Sequence, residues 1–385
     1  MYPRLCNPLL SKSFFLFGAR GTGKTKLLQQ LFQDQQTLWI DLLQEGALLN
    51  FTQNPSQLRH QLAAQGPNTK WVVIDEVQRV PALLNEVHSL IEDKSLNFAL
   101  TGSSARKLRR GQANLLAGRA LVNNLFPLTQ LELGHDFQLE SALRWGTLPG
   151  VITEKDESVR AEILKSYVHV YLKEEIREEQ IIRSLDPFTR FLEAAAQSNG
   201  TIVNLSKLGR EANTDAKSIA RYFQILEDTL LGFFVDPYHR SIRKQQRKQA
   251  KFYLFDLGVK RTLDGTLKIP LSKNTYDYGK LFEQFIILEV LRLNSYFRSD
   301  YKIYYLKTDN QLEIDLILER KGDATWVIEI KSAERPDLTE VSKLMQLAKD
   351  IPHARAAIFC QTTILQKIDS VEIFPWQEGL EAIFK

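Results

Sequence analysis

The stretch FFLFGARGTGKTKLLQQ, residues 14–30, decides the fold. Four apolar residues run into a turn broken by glycines and carrying one lysine, and a helix-forming run follows. Gly18, Gly23, Lys24 and Thr25 complete the spacing GxxxxGK[ST], with a strand before it and a helix after it, which is the context a phosphate cradle needs. In such a cradle the backbone amides of the turn Gly18, Ala19, Arg20, Gly21, Thr22, Gly23 point at a phosphate, and the glycines let the chain come close. Lys24 reaches the β and γ oxygens, and the Thr25 hydroxyl ligates Mg²⁺.

Moving outward, WVVIDEVQ (71–78) is an apolar strand ending in two acids. Asp75 is placed to hold the Mg²⁺ shell and Glu76 to orient an attacking water, which favours a hydrolase over a kinase. FALTGSSA (98–105) offers Thr101, Ser103 or Ser104 as a hydroxyl near the γ-phosphate. The run SSARKLRRGQANLLAGRA (103–120) then carries Arg106, Arg109, Arg110 and Arg119 without an acid. Arg119 is the expected arginine finger for a neighbouring subunit, which implies a homo-oligomer; a plain structural or DNA-facing arginine is the alternative.

With FFLF (14–17), TLWIDL (37–42), WVVID (71–75), FALTG (98–102) and LVNNLF (121–126) as strands separated by helical runs, the first part reads as a parallel sheet flanked by helices. A charged helical connector follows over 158–183. Leu205 and Leu208 open a short helix, 212–214 make a turn, and Ile219, Tyr222, Phe223, Leu226 and Leu230 form the stripe of a second helix ahead of the strand GFFVDPY. That order resembles a winged helix-turn-helix. The following run YHRSIRKQQRKQAK (238–251) has Arg240, Arg243, Lys244, Arg247, Lys248 and Lys251 and no acid. It suits phosphate contacts with DNA that read no sequence, against the alternative of a solvated loop. Acids among the two helices argue against a sequence-specific reader.

Net charge over the 385 residues is only +4, so an acidic partner has to be met by a local patch rather than by the overall field. Two cysteines far apart, Cys6 and Cys360, give no disulfide frame. No apolar run is long enough to span a membrane, and no cleavage-site pattern follows the first apolar run, so the expected location is the cytoplasm with no membrane partner.

Near the C-terminus, alternation in LEIDLILERKGDATWVIEIKSA (312–333) puts Glu313 and Asp315 on one strand face and Glu329 with Lys331 on one face of the next, joined by a turn-like KGDA. Two carboxylates and an ammonium on an otherwise apolar sheet suit a Mg²⁺ site for phosphodiester hydrolysis, with Asp315 and Glu329 as ligands. An exposed sheet face with an ordinary salt bridge is the alternative.

The segments GARGTGKT, WVVIDEVQ, ALTGSSA, LAGRA with FPLTQLE, GTLPGV, SYVHVYLKEEI and YLFDLGV resemble, in their order, the AAA-family ATPases (AAA_14 type) of bacteria and archaea that carry a C-terminal domain of unknown function, DUF4143. The resemblance implies an AAA+ module with ATP as nucleotide, a winged-helix segment, and a C-terminal fold similar to restriction endonucleases. The last third also resembles the PD-(D/E)XK nuclease core, in which Glu283 of the helix YGKLFEQFIILEVLR would join Asp315, Glu329 and Lys331; Ile314 stands where that pattern has Pro. The expected architecture is therefore α/β throughout: an AAA+ P-loop domain over 1–152, a connector and winged helix over 153–270, and a nuclease-like domain over 271–385. The expected function is Mg-ATP hydrolysis coupled to remodelling or cleavage of DNA. A nucleotide-controlled switch with a silent nuclease-like domain is the alternative.

Overall fold

The computed structural model describes residues 2–65, 69–94, 96–103, 116, 118–171, 185–239, 250–308, 310 and 312–385. Five strands, β1 (Ser13–Phe17), β2 (Thr37–Asp41), β3 (Trp71–Asp75), β4 (Asn97–Gly102) and β5 (Ala120–Asn124), form one parallel sheet in the order β2-β3-β4-β1-β5. β1 and β3 are buried along their whole length. That burial explains why they read as unbroken apolar runs rather than alternating ones. Alternate residues serve opposite faces. Phe15, Phe17, Val72, Ile74, Phe98 and Leu100 pack under α2 (Glu45–Gln53), α3 (Gln57–Ala64) and α4 (Leu83–Lys94), while Phe14, Leu16, Trp71 and Val73 meet Leu27 and Leu28 of α1 (Lys24–Leu31).

Short helices α5 (Gln130–Leu133), α6 (Leu139–Trp145), α7 (Pro149–Ile152) and α8 (Glu157–Ser166) follow, and a π-helical turn at Tyr167–Tyr171 extends α8. The next described helices are α9 (Leu185–Gln197), α10 (Leu205–Glu211) and α11 (Ala216–Asp228). Asn204 and Asp215 cap α10 and α11 by accepting from Lys207 and Ser218 amides. The expected stripe residue Leu230 lies past the end of α11, in a left-handed turn with φ 57°. β6 (Gly232–Pro237) and β7 (Lys251–Leu254) then pair antiparallel.

The remaining elements are α12 (Leu257–Leu263), α13 (Tyr276–Tyr296), β8 (Lys302–Lys307), β9 (Glu313–Glu319), β10 (Thr325–Ile330), α14 (Leu338–Ala348), β11 (Ala354–Cys360), β12 (Gln366–Ile368), β13 (Val371–Pro375) and α15 (Trp376–Phe384). β9 and β10 are antiparallel neighbours with Leu316 opposite Ile328, so the hairpin expected at KGDA is present. The sheet does not stop at residue 270. Its order β12-β13-β11-β10-β9-β8-β6-β7 takes in β6 and β7, through parallel pairing of Asp236 with Tyr304. Beneath it lies α13, buried nearly all round by Phe282, Phe285, Ile286 and Val290, the burial expected of an internal helix.

Two of the quoted segments turn out to be one packing unit. Gly146 of GTLPGV has φ 73°, and a Cβ there would lie 2.1 Å from Asp256 Oδ1. A Cβ on Gly258 of YLFDLGV would lie 2.0 Å from the Trp145 carbonyl oxygen. The buried Asp256 carboxylate accepts from the Thr147 amide at 2.7 Å and the Val259 amide at 3.1 Å, so one side chain joins α6 to α12.

Candidate active site

β1 delivers the glycine turn to the carboxyl end of the parallel sheet, and α1 begins at Lys24 itself. Gly21 and Gly23 take φ values of 81° and 96°, open to glycine and costly for other residues. A Cβ on Gly18 would lie 2.4 Å from the Leu125 carbonyl oxygen. Lys24 is buried; its ammonium donates to the Gly18 carbonyl at 2.8 Å and stands 4.0 Å from Glu76 Oε1.

β3 ends beside this turn. Thr25 Oγ1 donates to Asp75 Oδ2 at 2.7 Å, and Thr101 of β4 donates to the other carboxylate oxygen. Glu76 sits in the left-handed region with φ 59°, a conformation that costs roughly 1–2 kcal/mol outside glycine. It is fixed there by its amide, which donates to Thr101 Oγ1 at 2.9 Å, and by the Gln78 side-chain amide, which donates to its carboxylate. Gln78 also lies 3.4 Å from Ser103 Oγ. A cavity of about 750 Å³ opens over these groups, lined by Arg4, Lys24, Thr25, Glu76, Ser103 and Pro149 among others. That size lies within the range of nucleotide-sized pockets.

Side chains from outside the parallel sheet hold the turn. Arg4 Nη1 donates to the Thr22 carbonyl at 2.6 Å, and Tyr167 OH donates to the Arg20 carbonyl at 3.0 Å. In a planar trans peptide the C=O and the following N–H point in opposite directions. Drawing the Arg20 and Thr22 carbonyls toward Tyr167 and Arg4 therefore turns the Gly21 and Gly23 amides the other way. Sequence reasoning missed Arg4, Gln78 and Tyr167. Gln78 was adjacent to a recognised motif, but Arg4 has no local signal at all.

Arg119 does not join this site within its own chain. It precedes β5 at the end of the sheet away from the turn and is paired with Glu92. Ser104, Arg106, Arg109 and Arg110, and the basic residues Arg240, Arg243, Lys244, Arg247 and Lys248, lie outside the described residues.

Lys251 corrects the expectation of a DNA contact. It is 2% exposed, pairs with Glu313, stands 3.8 Å from Glu283 Oε1, and lies 5.0 Å over the Tyr305 ring. As the first residue of β7 it is drawn into the sheet, so it cannot lie on a phosphate backbone.

The C-terminal acids come with partners of their own. Glu283, Asp315 and Glu329 do gather, but each is already satisfied. Lys280 holds Glu283 at 2.7 Å, Lys331 holds Glu329 at 2.8 Å, and Asp315 Oδ2 accepts the Ile330 amide at 2.9 Å. Burial, then Glu329 and Glu283, push the Asp315 carboxyl well above the usual carboxylate range. Burial works against the Lys331 ammonium, but Glu329, Asp315 and Glu340 outweigh it and raise its pKa. Among the described residues no group of three or more His, Cys, Asp or Glu side chains is placed to hold a metal ion. Glu283 and Glu329 each have an ammonium partner and burial disfavours ionisation of Asp315, so Asp315, Glu329, Glu283 and Lys331 form a lysine-compensated network.

An AAA domain family matches residues 10–134, and DUF4143, a domain of unknown function, matches residues 278–378. The chain joins an AAA domain to a C-terminal DUF4143 domain. A further domain of unknown function, DUF8612, matches residues 136–270 between them. The chain is 25% identical over 350 residues to an uncharacterised protein of Mycobacterium tuberculosis, covering 89% of this chain and 75% of that one. It is 24% identical over 366 residues to one of Haemophilus influenzae, covering 86% and 85%. A structural likeness to domain III of the Thermotoga maritima replication initiation protein DnaA covers 52% of this chain and 82% of that one, at 17% identity. Its TM-score of 0.24 is too low to carry the fold.

The AAA domain supports nucleotide-dependent activity of the ATPase kind. The DUF4143 domain is bound to it through one face of α13. Glu289 Oε2 accepts the Gln130 amide at 2.9 Å, and Arg292 donates to the Leu128 carbonyl at 3.1 Å, Thr147 Oγ1 at 3.0 Å and the Phe255 carbonyl at 2.8 Å. Tyr296 OH accepts the Phe126 amide at 2.9 Å. Positions 289, 292 and 296 are helical neighbours, so a single face carries all these bonds. No described helix is long and apolar enough to cross a membrane.

Proposed function

We propose that the protein is a Mg²⁺-dependent ATPase whose nucleotide cycle controls a DNA-binding middle segment, with the DUF4143 domain acting as a non-cleaving partner. The observation that carries the ATPase reading is the Thr25 hydroxyl 2.7 Å from the Asp75 carboxylate, beside Lys24 and Glu76. Thr25 and Asp75 are hard oxygen donors side by side, and they would hold Mg²⁺ with phosphate oxygens and waters completing the shell. The chemistry such an ion would supply there is neutralisation of charge on the phosphate oxygens. Lys24, now resting on the Gly18 carbonyl, exchanges that acceptor for a phosphate oxygen. Glu76, held by Gln78, is the residue that would orient the attacking water.

The DNA part of the proposal rests on α10, α11 and the β6–β7 pair, whose order is that of a winged helix, and on the exposed Arg210, Lys217 and Arg221. Exposed Glu211 and Asp215 interleave with them, which suits backbone contact better than base reading. An arginine finger would have to reach a second copy, with Arg119 leaving Glu92. The network around Asp315 favours binding over cutting.

ATP hydrolysis by the whole chain with Mg²⁺, with and without duplex, forked and four-way DNA, tests the reading, with cleavage followed in the same samples. Turnover stimulated by DNA, abolished in Lys24→Ala and reduced about a hundredfold in Glu76→Gln, is the expected result. Turnover indifferent to every DNA would remove the DNA part. Metal-dependent cutting lost in Asp315→Ala would overturn the non-cleaving assignment.

A further inference from the structure

We propose that Tyr296, the last residue of α13 in the DUF4143 domain, is a positioning residue of the nucleotide site and acts through Arg4; the inference rests on the ATPase reading above. Arg4 has a side chain 7% exposed and acceptors at all three of its nitrogens. Nε donates to Glu132 Oε1 at 2.9 Å, Nη1 to the Thr22 carbonyl at 2.6 Å, and Nη2 to the Phe126 carbonyl at 2.7 Å and to Tyr296 OH at 3.3 Å. Glu132 is held in turn by the Leu5 amide, at 2.8 Å to the same oxygen, and by its capping box with Thr129. The guanidinium is planar with fixed donor directions, so fixing three of its edges fixes the fourth. That fourth edge is the Thr22 carbonyl, whose direction sets the Gly23 amide.

Tyr296 secures the rest of the frame. Its hydroxyl accepts the Phe126 amide at 2.9 Å, and its ring lies 5.6 Å from the Phe126 ring. The segment it anchors bears on the turn directly: the Leu125 amide donates to the Phe17 carbonyl at 2.7 Å, and the Leu125 carbonyl is the atom a Cβ on Gly18 would strike. A residue 292 positions from Arg4 in sequence thus sets the frame in which the phosphate amides are aimed. Positioning of this kind lowers the cost of binding, because the amides need not be turned when the phosphates arrive.

Titration of the whole protein with a fluorescent ATP analogue, together with kcat and KM for ATP, tests this in wild type, Lys24→Ala, Arg4→Lys and Tyr296→Phe. Phenylalanine keeps the ring packing and removes only the hydroxyl, and lysine keeps the charge and loses the fork. The expected result is Kd raised about tenfold in Arg4→Lys and severalfold in Tyr296→Phe in samples shown by their thermal transition to be folded at the temperature of the titration. ATP should also slow amide exchange at residues 125–126 and 293–297 in wild type and not in Lys24→Ala. Wild-type Kd and KM in both variants would overturn the positioning role, as would lower thermal midpoints with unchanged affinity, which mark a purely architectural strap. If Arg4→Lys fails to fold, Tyr296→Phe alone decides. Absence of nucleotide binding by the wild type itself would defeat the ATPase reading, a different failure from variants that bind as well as wild type.

Discussion

Gln78 makes the hydrogen bond that fixes the Glu76 carboxylate, so it should matter to turnover more than to binding. A hydrogen bond to a charged group contributes about 1.5–3 kcal/mol, enough for a tenfold change or more. Gln78→Ala is expected to lower kcat about tenfold while KM for ATP stays near wild type; a rise in KM with kcat intact would place Gln78 in binding instead. Asp315 gives a pH prediction. Its folded pKa is raised by burial and by Glu329 and Glu283, so the stability it contributes is full below the ordinary carboxylate pKa of about 4 and is lost as pH rises toward the folded value. Asp315→Asn should therefore lose less thermal stability than wild type between pH 5 and pH 8. An equal loss in both would mean that Asp315 is ionised in the fold. At this scale the sequence was legible where residues act on near neighbours, as in Gly18 to Thr25 or Asp75 with Glu76. It was misleading for Lys251, whose basic surroundings in the chain conceal that it starts a buried strand, and silent for Arg4.

The elements that decide the fold were readable because their burial is uniform. β1 carries four consecutive apolar residues after Ser13 and β3 four before Asp75, since helices cover both sheet faces, and the β9–β10 hairpin followed from alternation and a turn. β12 and β13 were not read, and the parallel pairing of β6 with β8 could not be, because it joins segments with no shared local pattern. The contact between α6 and α12 was visible only as two glycine-bearing segments whose order is specific. Its physical content is the absence of a Cβ: at Gly146 a methyl would meet the buried Asp256 carboxylate, in a backbone conformation with φ 73°. Gly146→Ala is expected to cost roughly 2–4 kcal/mol, from overpacking together with the left-handed penalty. A denaturant midpoint unchanged from wild type would show that α6 and α12 can part without loss.

Across the whole molecule, the polar face of α13 makes the AAA and DUF4143 domains one folding unit. Removing everything after residue 270 leaves the Leu128 and Phe255 carbonyls without Arg292, and the Gln130 and Phe126 amides without Glu289 and Tyr296. Water takes over these groups, and each intramolecular hydrogen bond given up costs about 0.5–1.5 kcal/mol. The cut also uncovers Ala142, Leu143, Val235, Tyr253 and Leu257, which share a core with Phe282, Phe285 and Ile286, and leaves β6 without β8. The opened core, the lost β6–β8 pairing and the lost hydrogen bonds together rival the ~5–15 kcal/mol by which domains are stable. A chain ending at residue 270 is therefore expected to lack a cooperative thermal transition and to be digested rapidly by protease, whereas the full chain melts in a single step with the AAA and DUF4143 domains unfolding together. A truncated chain that melts cooperatively within a few degrees of the full protein, and still binds nucleotide as tightly, would show that the AAA domain stands alone and that α13 is only docked against it.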